Sequence, residues 1–239
     1  MRQLFLLVFI FSQISVHSQT YEAIYQFKVN KAHFKAHIEK KMTEGTEPTL
    51  LKKAFDKYLN SRPAKAKFVF NAERSFYEVV QDMGIQDRKR KLDPALRFAG
   101  GATKYYKTKD KDSTLMHIKR PYLDIKEFLL NVDPNPTSLL NDTKQIGKYQ
   151  CYLAEVEVPS KHNFKLWYTP NIPISFNILN YSNLPGLLIK IESQLFTANL
   201  MSFKEVEASA LESPPTDLPQ ISLETYQEMV DKINPFKDN

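Results

Sequence analysis

The sequence predicts an α+β domain built mainly on a strongly curved antiparallel β-sheet, with helices toward the N-terminus and at the C-terminus. Three observations carry this reading. Apolar and polar residues alternate through most of the chain, turn-forming residues interrupt the alternation at short intervals, and helical spacing is confined to residues 33–59 and the C-terminal end. No crossover helix stands between consecutive strands, so neighbours should pair antiparallel.

The chain opens with Arg2, an apolar run from Leu4 to Ile14 broken only by Ser12 and Gln13, and then Val16-His17-Ser18. A basic start, a short apolar run and small residues before a cut form the pattern of a secretory signal peptide, cleaved after Ser18. The run is well short of the roughly 20 residues that span a bilayer. No cysteine stands near the cut, which disfavours a lipid-anchored N-terminus. The expectation is a signal at residues 1–18 and one exported domain at 19–239, periplasmic or envelope-associated. Cys151 is the single cysteine, so no intrachain disulfide forms and the core must supply the stability. A net charge of +6 comes from 33 basic and 27 acidic residues. The densest basic run, Asp87-Arg88-Lys89-Arg90-Lys91, reads as a solvated loop, and export argues against nucleic acid as a partner.

The elements follow in order. Tyr21, Ala23, Tyr25, Phe27 and Val29 share one side of a first strand. Phe34, Ile38 and Met42 recur at helical spacing, and a second helix begins at Pro48 with Leu51, Phe55 and Tyr58 as its apolar stripe. Phe68 and Phe70 then share a strand face, residues 71–75 turn the chain, and Phe76–Val80 returns. Thr103–Thr108 and Thr114–Lys119 flank a charged tip and form another hairpin, entered through Gly100-Gly101. Further strands are expected at Tyr122–Val132, Gln150–Val158, Asn163–Thr169, Leu187–Glu192 and Thr197–Val206. A proline-rich connector at 213–219 leads to a helix at about 222–234, capped by Ser222, with Tyr226, Met229, Val230 and Ile233 on its apolar face.

The most constrained stretch is Leu166-Trp167-Tyr168-Thr169-Pro170-Asn171-Ile172-Pro173-Ile174, followed by Asn183-Leu184-Pro185-Gly186-Leu187-Leu188. Only 6 of 239 residues are glycine, so a proline–glycine corner between strand-like runs marks a fixed backbone shape. These residues resemble the signature of the GLPGLI family, exported proteins of Bacteroidetes-type bacteria. Leu166–Ile174 resembles the family's Trp-Tyr-Thr-Pro element, and residues 183–188 stand in the place of Gly-Leu-Pro-Gly-Leu-Ile. Ile146–Ala154 resembles the strand that precedes them, so the likeness covers residues 146–192. Asn183 replaces the first glycine, Leu188 replaces the final isoleucine, and Ser175–Tyr181 lacks the usual Gly-Pro. The resemblance implies export and an association with outer-membrane transport systems, with no reaction attached.

Read structurally, Thr169, Pro170, Pro173, Asn183, Leu184, Pro185, Gly186, Leu187 and Leu188 form a fold-defining corner. Gly186 is expected in a left-handed conformation, with Leu187, Ile189 and Ile191 on one face of the strand that follows. Alternation places Trp167 opposite Phe164, Leu166 and Tyr168, and these four are the candidate binding residues.

Other constellations carry little chemistry. His33 and His37 are helical neighbours without a visible third ligand and read as a solvated helix flank, while His117 and His162 are isolated in sequence. Asp133, Asn135 and Thr137 begin like a calcium loop, but Ser138 and Lys144 stand where Gly and Glu are needed. Asp124 and Glu127 read as surface acids, and Cys151 reads as a buried small apolar residue. There is no nucleophile elbow, phosphate loop or dinucleotide fingerprint. No catalytic residue, metal or cofactor is therefore assigned.

The expectation is a non-catalytic envelope protein that binds an apolar small molecule or an outer-membrane transport partner and does not span the membrane after processing. A hydrolase with an unrecognised site and a purely structural accessory protein are the alternatives. Periplasmic lipoprotein carriers, with their incomplete barrels, are the architectural parallel. With 16 Phe, 12 Tyr and one Trp, the concave face reads either as a filled core or as an apolar cavity.

Overall fold

The computed structural model describes residues 19–45, 47–80, 93–156, 164–181 and 184–233. The expected signal peptide, the basic run at 87–91, the turn at 159–162 with His162, and Asn183 lie outside them. A mixed, curved sheet of twelve strands dominates and does not close on itself. Its strands are β1 (Thr20–Val29), β2 (Ala64–Phe70), β3 (Arg74–Val80), β4 (Lys104–Thr108), β5 (Thr114–Lys119) and β6 (Glu127–Val132). They continue as β7 (Thr137–Ile146), β8 (Tyr149–Val156), β9 (Phe164–Thr169), β10 (Leu187–Glu192), β11 (Phe196–Val206) and β12 (Gln220–Ile221). The order across the sheet is β12-β6-β5-β4-β3-β2-β1-β11-β10-β9-β8-β7. Only the two-residue β12 runs parallel to its neighbour.

The inner face of β1 carries Ala23, Tyr25 and Phe27, all fully buried, as its alternation requires. Across the ladders this face continues into Phe68 of β2, Tyr77 of β3, Ile191 of β10 and Leu166 of β9, and it is filled with side chains. Helices α1 (Lys31–Thr43) and α2 (Pro48–Leu59) join this core through Phe34, which stacks on Tyr58 at 4.3 Å. Asn30 caps α1 through its side chain, and Pro48 sits in the first turn of α2. A short helix, α3 (Pro94–Phe98), is capped by Asp93 and adds Ala95 and Phe98, the latter stacked on Phe196 at 4.8 Å. A second cluster forms where α4 (Leu223–Lys232), capped by Ser222, sets Met229 against Ile118, Phe128 and Leu130. Val69, Phe76, Tyr106 and Leu211 make a smaller cluster on the outer face.

Four elements depart from expectation, the first being β12, an unexpected strand that pairs parallel to β6 where antiparallel neighbours were expected. The strand expected at Tyr122–Val132 begins only at Glu127, because residues 121–125 form a turn closed by the Arg120 amide, which donates to the Lys126 carbonyl at 2.7 Å. Strand β7 occupies a stretch with no apolar alternation; it is mostly exposed and its pairing with β8 is interrupted between Leu139 and Thr143. Helix α3 is too short for a periodic signal, and its proline and aspartate cap hold it.

Candidate functional site

The two halves of the proline-rich signature meet backbone to backbone. A Cβ on Gly186 would lie 2.0 Å from the Thr169 carbonyl oxygen and 2.8 Å from Pro170 Cα, so only glycine fits between them. This corrects the expected left-handed turn: the described glycines with positive φ are Gly45, Gly100, Gly101 and Gly147, and Gly186 is not among them. Its requirement is space. Pro170, Pro173 and Pro185 sit exposed on the outside of the corner, while Thr169, Leu184, Leu187 and Leu188 are buried.

The expected sharing of one face by Leu187, Ile189 and Ile191 is also corrected. A bulge leaves Ile189 as the extra residue: Leu188 pairs with Tyr168, the next pair is Lys190 with Trp167, and Ile191 pairs with Leu166. Leu188 and Ile191 therefore share the inner face, while Leu187 lies with Thr169 on the other. A bulge removes ladder hydrogen bonds, and buried side chains replace them here. Asn177 Oδ1 accepts from Leu188 N at 3.0 Å, Asn177 Nδ2 donates to the Gly186 carbonyl at 3.3 Å, and Tyr25 Oη donates to the Leu188 carbonyl at 2.6 Å. Asn177→Leu should cost about 2 kcal/mol by orphaning a buried donor and acceptor, with Asn177→Asp intermediate. Urea midpoints of the two variants check this, and equal stability of Asn177→Leu and the unaltered protein would remove the latch.

Trp167 and its neighbours stand on opposite faces, as alternation requires, and none of the four candidate binding residues opens onto the cavity described below. Leu166 and Tyr168 are buried in the inner core and Phe164 is half-buried beside Phe196, 5.9 Å between rings. Trp167 Nε1 donates to Glu192 at 3.0 Å, and Lys144 lies over the indole ring at 5.3 Å. Burial opposes the charge on Glu192, but hydrogen bonds from Lys190 and Trp167 outweigh it and hold the carboxyl below its usual range.

The remaining sequence candidates do not assemble. Among the described residues, no three His, Cys, Asp or Glu side chains are grouped to hold a metal ion. His33 and His37 pack against Phe34 and Phe55. His117, isolated in sequence, meets Glu127 at 2.8 Å, and Lys119 reaches the same carboxylate at 2.7 Å. Hydrogen bonds from Lys119 and His117 keep Glu127 charged, and Asp124 is exposed and takes no part. Cys151 is buried, and burial pushes its thiol pKa up, which makes it a poor nucleophile.

One residue escaped the sequence reading altogether. Lys107 alternates onto the inner face of β4, buried, where its ammonium group donates to the Asn177 carbonyl at 3.1 Å and the Tyr181 carbonyl at 2.7 Å. Burial alone pulls its pKa down to about 7. The segment it holds, residues 177–181, contains Leu179 in a left-handed conformation at φ 55°, the one non-glycine residue with positive φ among those described.

That segment forms one wall of a cavity of about 340 Å³ at the rim of the inner face. Arg97 and Phe98 of α3, Tyr105 of β4, and Leu179 and Asn180 are among its lining residues. Burial pushes the Tyr105 hydroxyl up to about 12, against a smaller opposing effect of the nearby Arg120 guanidinium.

No family model matches the chain, and no curated protein matches it. Among solved structures, PNGF-II in the C2 space group is similar at TM-score 0.53 and 12% identity, over 89% of this chain and 33% of that one. PNGF-II in the P21 space group gives TM-score 0.52 and 13% identity over the same shares. An uncharacterised conserved protein from Thermus thermophilus aligns at TM-score 0.38 and 9% identity, over 86% of this chain and 91% of that one. The class so defined is a β-rich α+β fold shared with part of PNGF-II. This chain spans about a third of PNGF-II, and at such identity the likeness concerns the fold alone.

Proposed function

We propose that this chain is an exported, non-catalytic envelope protein of the GLPGLI kind whose work is binding, and that its ligand is a small molecule with an apolar body. The observation that supports this is the rim cavity, whose volume of about 340 Å³ falls within the range of small-molecule sites and whose walls are largely apolar with a few polar groups. Tyr25, Phe27, Phe68, Tyr77, Leu166 and Ile191 fill the inner face, so the ligand site is confined to the rim rather than running along the sheet. The antiparallel strand succession from β6 through β7 and the open edges favour an incomplete barrel of the carrier type. The surviving signature corner favours the family resemblance. No helix among the described residues is long and apolar enough to cross a membrane, a statement that does not extend to strands.

A second reading, a protein partner accessory to outer-membrane transport, draws on the outer edge of β7. It ends the sheet, with Leu139 and Tyr152 exposed nearby, and such an edge can accept an added strand.

Native mass spectrometry of protein from the envelope fraction tests the main reading. The expected mass begins at Gln19, with a non-covalent adduct that is lost on denaturation. Broad esterase, peptidase and glycosidase assays should be silent. A full-length membrane-embedded product would overturn export, and turnover abolished by one acid, histidine or serine substitution would overturn the non-catalytic assignment.

A further inference from the structure

We infer that the rim cavity selects a small organic anion with an apolar body, its acid group held by Arg97. This deepens the binding reading above and rests on it. Arg97 is exposed, lines the cavity and has no side-chain partner among the described residues. None of the lining residues is acidic, and the Arg120 guanidinium lies close enough to act on Tyr105 in the same wall. The local field therefore favours negative charge.

Asn180 anchors the wall. Its Nδ2 donates to the Asp133 carbonyl at 2.6 Å, which fixes the orientation of the amide, since a flip would set oxygen against oxygen. Its Oδ1 is sealed from solvent, so the side chain fastens the cavity wall to the Asp133 strand end and leaves ligand contact to Arg97.

Two residues of the cavity wall hold uncommon backbone conformations. Leu179 holds the left-handed conformation that a branched side chain resists, and Gly100 opposite it has φ +107°. A Cβ at Gly100 would lie 3.1 Å from the Tyr105 ring and 3.2 Å from Leu179, pushing against both of these wall residues. Strain of this kind persists where the surroundings impose it, and ligand sites are where it concentrates.

Isothermal titration of the mature chain at low salt decides the matter, using 3-hydroxyoctanoate, octanoate and octylamine, and the aromatic set 4-hydroxyphenylacetate, phenylacetate and tyramine. The acids of at least one set should bind, and the amine of that set should not bind. Arg97→Glu should abolish acid binding without moving the melting temperature, because Arg97 is exposed. Amine binding equal to acid binding, acid binding unchanged by Arg97→Glu, or no binding in either set would each overturn the anion assignment. If a neutral apolar adduct persists in the native mass spectrum while the acids fail, the anion assignment falls and the wider binding reading stands. If neither acids nor any adduct are found, both fall.

Discussion

Gly186→Ala should destabilise the domain by at least about 3 kcal/mol, and Gly186→Val by more, because the added carbon meets main chain. The nearest atoms to such a Cβ are the Thr169 carbonyl oxygen at 2.0 Å and its carbon at 2.6 Å, neither of which can rotate aside. Relief requires separating β9 from the entry of β10, which would pull Leu187 from its pairing with Thr169 and its amide from the Ile172 carbonyl, 3.0 Å away. For a domain of this size the loss corresponds to a fall in Tm of about 6–12 °C. Gly147 is the control. It has φ +56° and nothing within 4 Å of where a Cβ would stand, so Gly147→Ala should cost only the left-handed backbone penalty, about 1 kcal/mol. Equal Tm shifts for the two alanine variants would show that backbone angle rather than close approach governs both sites.

This corner also marks where the sequence was legible. The proline–glycine punctuation announced a fixed backbone shape, and β10 runs over Leu187–Glu192, where alternation and turn residues placed it. The identity of the constraint was not legible, since a glycine demanded by a neighbouring carbonyl looks the same in sequence as one demanded by positive φ. The bulge at Ile189 was hidden for a related reason: three apolar residues at 187–189 suit either register, and only the pairing with Tyr168 and Trp167 distinguishes them. Strand β7 was missed because an exposed, interrupted edge strand has no reason to alternate. The hairpin β2–β3, in contrast, combines buried alternation with Asn71, whose side chain accepts from the Glu73 and Arg74 amides, so pattern and turn chemistry agree. The candidate cavity depends on Arg97, Tyr105 and Leu179–Asn180, remote in sequence and brought together by α3, β4 and the connection between β9 and β10. Lys107 could have been singled out only by its place in the alternation of Tyr105 and Lys107, which sets a lysine on a core face.

Stability should rise with pH from about 7 toward 10 by up to about 1.4 kcal/mol per pH unit, and Lys107 should be responsible. Burial lowers the amine pKa to about 7 in the folded protein, against an unfolded value of about 10.4. Below pH 7 both states hold the proton, and the native state carries a buried cation whose acceptors are two neutral carbonyls. Between the two values the unfolded chain still binds a proton that the folded chain has released, so raising the pH favours folding. A neutral amine retains two N–H groups, enough for the Asn177 and Tyr181 carbonyls. Tyrosines set the upper limit of the window: Tyr25, Tyr77, Tyr105 and Tyr181 are buried with raised pKa values, led in each case by burial. Above about pH 10 the unfolded chain ionises its tyrosines while the folded one does not, and stability turns down again. Lys107→Met should flatten the rise between pH 7 and 10. It also leaves two carbonyls without a donor, at about 1–3 kcal/mol each, so the variant should be weaker than the unaltered protein at pH 9 and lose that disadvantage near pH 6. Urea midpoints at half-unit pH steps would show the two curves converging or crossing. Parallel curves would mean that the amine keeps its charge in the folded state and that its two carbonyl partners are enough to hold an ammonium ion.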